Sequence, residues 1–150
     1  NLNTSSGGPE DIVLPFSNVG ISTPFYGGTF EISQDIYVAN SMYFNLQADN
    51  LPITNWALDV YFDSLGNVSY NSNGSLLLYS TYPFSSWFEQ KIVIDITNNN
   101  WQVFHDGNLV GSFSNPTNQI SSIDYYPKPS FVLMKPQVKW HFFPNILKVF

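Results

Sequence analysis

Cysteine is absent from the chain, and so is arginine, since all five basic residues are lysines. The first absence excludes disulfides, thiolate metal sites and a cysteine nucleophile. Charge of either sign is scarce at 11% of 150 residues, less than half the roughly 25% of an average soluble protein. With 43% hydrophobic and 17% aromatic residues, the chain is neither disordered nor a coiled coil. No run of about 18 apolar residues occurs, so no helical membrane span is expected. A basic segment followed by an apolar one is also missing at the start, and the first residue is Asn1, so the chain reads as a mature or excised segment. Phosphate-binding glycine loops are missing too: Gly27-Gly28 precedes a strand pattern and not a helix.

What takes the place of charge is neutral polarity. Asn, Ser, Thr and Gln supply 48 of the 150 residues, a composition that disfavours helix. The few charges are segregated. Residues 1–127 hold all eleven acids against Lys91 alone, a net −10, whereas residues 128–150 hold Lys128, Lys135, Lys139 and Lys148 and no acid, a net +4. A body at −10 offers no basic stripe to phosphates, which excludes nucleic acid as a partner.

The dominant period is two. Phe30, Ile32, Ile36 and Val38 fall on one face of a strand and Glu31, Ser33, Asp35 and Tyr37 on the other. The alternation returns in residues 43–48, 58–63 and 91–96. Between these runs lie the turn signals Ser64-Leu65-Gly66-Asn67, Ser72-Asn73-Gly74, Asn98-Asn99-Asn100 and Asp106-Gly107-Asn108. The expected fold is therefore all-β, an antiparallel two-sheet β-sandwich of jelly-roll type. Residues 1–10 read as a linker or frayed terminus and residues 11–127 as the sandwich. Residues 128–150 form an atypical Pro, Lys and aromatic segment in which 131–134 and 138–143 could supply edge strands.

Catalytic patterns are sparse. Paired carboxylates for sugar hydrolysis must face each other at about 5–9.5 Å. Glu31 with Asp35, and Asp59 with Asp63, each sit four strand residues apart, about 13 Å, so only a cross-strand pair such as Asp35 with Asp59 would serve. His105 and His141 are the only histidines, no Gly-x-Ser-x-Gly occurs, and His105 beside the Asp106-Gly107 turn reads as a surface residue. Zinc is not expected from two distant histidines. The turn segments Asp49-Asn50 and 63–67 carry oxygen ligands suited to a structural calcium, although no EF-hand spacing occurs. The residues that point to function are those of the wet faces. Tyr37, Tyr43, Asn45, Gln47, Asp59 and Tyr61 recur on consecutive strands with Trp56 just before one of them, and flat rings with amides and carboxylates suit sugars. Trp87 and Trp101, flanking the 92–96 strand, read as core or rim.

The stretches Trp87-Phe88-Glu89-Gln90-Lys91-Ile92-Val93-Ile94-Asp95-Ile96 and Asn98 to Phe113, with their Trp, turn and Asp-Gly hairpin, resemble the laminin-G-like and concanavalin A-like lectin/glucanase superfamily. Residues 28–47 resemble the early strand pair of such domains in exported proteins of Bacteroidota. The resemblance covers about residues 28–126 and implies a lectin-like sandwich in a secreted or cell-surface protein, beside neighbouring domains. The Glu-x-Asp-x-x-Glu strand of the superfamily's glucanases does not occur here, so that activity is not implied. Three functional expectations stand: a non-catalytic carbohydrate-binding or adhesion module, a glycoside hydrolase or polysaccharide lyase of the same fold, and an assembly module whose tail packs on a partner chain.

Overall fold

The computed structural model describes residues 12–17, 24–49 and 54–125, and the backbone of 137–139. Eleven strands form two antiparallel sheets, and no helix occurs among the described residues. They are β1 (Ile12–Pro15), β2 (Thr29–Tyr37), β3 (Met42–Gln47), β4 (Trp56–Phe62), β5 (Asn67–Ser72), β6 (Ser75–Thr81), β7 (Trp87–Asp95), β8 (Asn100–His105), β9 (Asn108–Phe113), β10 (Ser122–Tyr125) and β11 (Gln137–Lys139). One sheet has the order β1-β10-β3-β4-β5-β6 and the other β11-β2-β7-β8-β9. The N-terminal segment 1–10, Asn50, His141 and the 131–134 strand expectation lie outside the described residues. Of the 138–143 expectation, Val138 and Lys139 fall in β11, at the edge beside β2.

The hairpins form where local chemistry permits the backbone to turn left. Asn73 and Gly74 have φ of 49° and 76°, and Asp106 and Gly107 have 48° and 76°. Two successive positive φ values define the two-residue turn whose twist matches flanking strands. The β4–β5 turn is organised by Asp63, whose Oδ1 accepts from Leu65 N and Asn67 N at 2.8 Å each, while Oδ2 accepts from Asn67 Nδ2 at 2.9 Å. These bonds hold the Asp63 carboxyl below the usual carboxylate range. Its oxygens thus close a turn, the segment in which a calcium ligand had been expected. Among the described residues no three His, Asp or Glu side chains come together as a metal site.

Apolar alternation fills the space between the sheets. Phe30, Ile32, Ile36 and Val38 are buried as the period predicts, and they meet Phe44, Leu46, Leu58, Val60 and Phe62 of the other sheet. Trp101 is wholly buried and donates its indole N–H to Asn118 Oδ1 at 3.0 Å. At one end β6 and β9 approach so closely that a Cβ on Gly111 would lie 2.6 Å from Leu78 Cδ1. A side chain at position 111 would have to displace the end of Leu78.

A polar chain runs through this apolar interior. The Tyr125 hydroxyl donates to Gln34 Oε1, Gln34 Nε2 to Gln90 Oε1 at 2.7 Å, and Gln90 Nε2 to the Tyr70 hydroxyl at 2.9 Å, which lies 3.1 Å from His105 Nε2. Tyr125 and Tyr70 belong to the six-stranded sheet and Gln34, Gln90 and His105 to the other, so the chain crosses between the sheets three times. His105 is thus a buried residue, contrary to the surface position expected beside its Asp-Gly turn. Its place at the inward-facing end of β8 overrides the turn's exposure. Burial pushes its pKa below the ordinary 6.5, against the opposing pull of the Asp106 charge.

Candidate functional site

Six of the seven expected site residues share one surface, the outer face of the six-stranded sheet. β3 contributes Tyr43, Asn45 and Gln47, and β4 contributes Tyr61, Asp59 and Trp56 directly opposite them in that order. The register shift between Leu46 and Gln47 is what places Trp56 across from Gln47. The seventh residue, Tyr37, is not part of this group. It ends β2 in the five-stranded sheet, where its ring lies 5.6 Å from that of Trp87. Trp87 is 53% exposed, so it is an outward ring, while its counterpart Trp101 is core. The same sheet assignment separates Asp35 on β2 from Asp59 on β4, which removes the cross-strand carboxylate pair considered above.

Hydrogen bonds lock the outer face into one network. The Tyr43 hydroxyl donates to Asp59 Oδ1 at 2.6 Å and receives Asn45 Nδ2 at 3.1 Å. Asn45 Nδ2 also lies 3.3 Å from Asp124 Oδ2, and Gln47 Nε2 donates to Asn45 Oδ1. The Tyr43 ring stacks on that of Tyr61 at 4.7 Å between centroids, within the range in which aromatic pairs attract. Burial pushes the Tyr43 phenol far up, helped by the bond and charge of Asp59, and burial also raises the Asp59 carboxyl. Burial raises Tyr61 likewise.

Period alone overstates how wet this face is. Asn45 is 2% exposed and Gln47 0%, although both were expected at the surface. β3 is an interior strand, so its outward side chains are crowded between those of β10 and β4 and spend their amides on one another. The accessible part of the face lies further on, over β4, β5 and β6. There Asp59 stands opposite Asn71, and Tyr61 opposite Ser69, which in turn faces Tyr79. Tyr61 is 38% exposed, Tyr79 59% and Trp56 36%. Asp59 Oδ2 has no hydrogen-bond partner among the described residues, and Asn71 spends only one amide bond, on Ser69 Oγ at 3.1 Å. An exposed ring therefore borders an open carboxylate oxygen and an open amide.

Sequence reasoning missed Asp124, Asn71 and Tyr79. The place of Asp124 opposite Asn45 is a long-range pairing with no local signal. Tyr79 follows Leu76-Leu77-Leu78, a run that hides the two-residue period.

The two antiparallel sheets form a jelly-roll sandwich of the concanavalin A-like fold. No protein-family model matches the chain, and no curated protein matches it. Solved structures do. Sheep galectin-11, complexed with glycerol, superposes with a TM-score of 0.55 at 11% identity over 90% of this chain and 100% of the galectin. An alginate lyase of polysaccharide lyase family 7 gives 0.58 at 14% identity over 84% of this chain and 62% of the lyase. A carbohydrate-binding module from Bacillus subtilis gives 0.51 at 14% identity, covering 70% of each chain. At such identities the likeness establishes the fold, and function must be argued from the face itself.

Proposed function

We propose that the protein is a non-catalytic carbohydrate-binding module, displayed outside the cell, that takes its ligand on the outer face of β4 to β6. The observation that carries this reading is the Tyr61 ring, fixed by its stack on Tyr43 beside Asp59, whose free Oδ2 accepts hydroxyl donors. A pyranose presents an apolar C–H face and a rim of hydroxyls. The ring takes the first, and Asp59 and Asn71 take the second. Carbohydrate-binding proteins among the structural neighbours support the same reading.

An enzyme of this fold is the second reading, favoured by the lyase neighbour. It finds less support in the residues. A tyrosine base must ionise, and burial together with Asp59 pushes the Tyr43 phenol the other way. Asp59 and Asp124 flank Asn45 from strands about 10 Å apart, but Asp124 is 4% exposed and cannot reach a substrate.

Glycan-array screening followed by calorimetric titration tests the proposal. Tyr61→Ala and Asp59→Asn are each expected to weaken binding about tenfold, the loss of one aromatic contact or one charge-assisted hydrogen bond. Flat responses across the array, or unchanged affinity in both variants, would sink it.

A further inference from the structure

The charges around this face bear on which glycans it accepts. Among the described residues, the six strands of its sheet and the turns joining β3 to β6 carry Asp49, Asp59, Asp63 and Asp124 and no lysine or histidine. The lysine whose side chain is described, Lys91, lies on β7 in the opposite sheet, 4.0 Å from Glu31 and over the Phe104 ring. A carboxylate or sulfate on the ligand would therefore meet like charge with no cation among the described residues to neutralise it, in a setting where Asp59 is partly desolvated and screening is weakened. A hydroxyl in the same place would meet an acceptor.

The rings bear on how long the ligand is. Tyr61, Ser69 and Tyr79 lie side by side on β4, β5 and β6, and two inter-strand steps separate the outer rings by about 10 Å. That distance accommodates two pyranose units laid across the strands. Asp59 and Asn71, two residues along β4 and β5 from Tyr61 and Ser69, line one side of this path. The Tyr79 hydroxyl has no hydrogen-bond partner among the described residues, and its ring is the most exposed on the face.

Resting on the carbohydrate reading above, we infer that the ligand is a neutral oligosaccharide of two or more hexose units that crosses the strands from Tyr61 to Tyr79, and that uronate-bearing chains are rejected. Tyr61 holds one unit beside Asp59, and Tyr79 holds the next.

The test uses the full chain and matched oligosaccharides that differ only in oxidation at C6, hexose against hexuronate, at lengths from one to four units. Neutral chains are expected to bind at least tenfold tighter than their uronates, with an affinity that does not change between 50 and 500 mM NaCl. Tyr79→Ala should weaken the longer neutral chains about fivefold and leave the monosaccharide unaffected. Asp59→Asn should narrow the neutral-to-uronate ratio while weakening the neutral ligand. Equal or tighter binding of uronates would overturn the inference and leave the carbohydrate reading intact. Failure of every saccharide to bind would overturn both. Equal losses for monosaccharide and tetrasaccharide in Tyr79→Ala would overturn the two-ring path. Circular dichroism of each variant separates these outcomes from misfolding, and Tyr79→Phe, which keeps the ring, should restore binding if Tyr79→Ala is poorly folded.

Discussion

Two polar networks cross this sandwich, built from the same kinds of residue in different surroundings. The inner one, Tyr125–Gln34–Gln90–Tyr70–His105, lies between the sheets and holds only amides, phenols and an imidazole that burial disfavours charging. The outer one, Tyr43–Asn45–Asp59–Asp124, lies on one sheet's far surface and includes two carboxylates. A charge inside the sandwich would face a large desolvation cost, so the inner chain stays neutral and satisfies its bonds internally. The outer network borders solvent through Asp59 and Tyr61 and leaves one acceptor open. Bonds closed among themselves specify a fold, whereas a bond left open at the rim of a rigid network is available to a ligand.

The largest expected effect tests the inner chain. Gln90→Leu removes one of the links between the two sheets and leaves Gln34 Nε2 without an acceptor in the core, while the Tyr70 hydroxyl keeps only His105, which should cost about 2 kcal/mol in urea unfolding. A loss below about 1 kcal/mol would show that the inner chain is dispensable and would erase the contrast. Glycan affinity of the folded fraction should be unchanged.

Acidification separates the networks by sign. His105 has a folded pKa below its ordinary 6.5, so the unfolded chain takes up protons first, and its contribution to stability, full above 6.5, is lost as pH falls through the lowered value. Asp59 is raised above 3.8, so its ionisation costs stability as pH rises through the raised value, and acid returns it. Unfolding midpoints measured from pH 7.5 down to 4 should therefore fall below pH 6.5 in the native chain and fall less in His105→Gln. In Asp59→Asn the acid-side recovery should disappear. Parallel curves for all three proteins would refute the assignment.

The smallest effect concerns Tyr37. Tyr37→Ala and Trp87→Ala alter a half-buried and an exposed ring that pair on the other sheet, so each should change affinity for a ligand bound over β4 to β6 by less than about twofold, under 0.5 kcal/mol. A tenfold loss in titration would place the ligand elsewhere and join the two faces that the fold separates.

Much of the fold was legible because its causes are local. Alternation at 30–38 follows from the pleat, and the turns at Asn73-Gly74 and Asp106-Gly107 follow from residues that tolerate positive φ. The grouping of the candidate site was legible in part for the same reason, since Tyr43, Asn45, Asp59 and Tyr61 alternate with core residues on two strands that pair directly. The inner network was invisible because Gln34 and Gln90 sit at apolar positions of the period, where pattern reading assigns core and stops. His105 was misplaced because a turn signal beside it was weighed above the parity of its strand.

The sequence by itself determined the strands, most of the hairpins and which side chains of a strand share a face. Tertiary structure decided which sheet each strand joins. Tyr37 and Tyr43 are close neighbours in the chain, yet they end on opposite surfaces, because the chain crosses from one sheet to the other between β2 and β3. A two-residue period fixes the side of a strand on which a residue lies. The direction that side faces depends on partners distant in sequence, such as β7 for Tyr37 and β4 and β10 for the residues of β3.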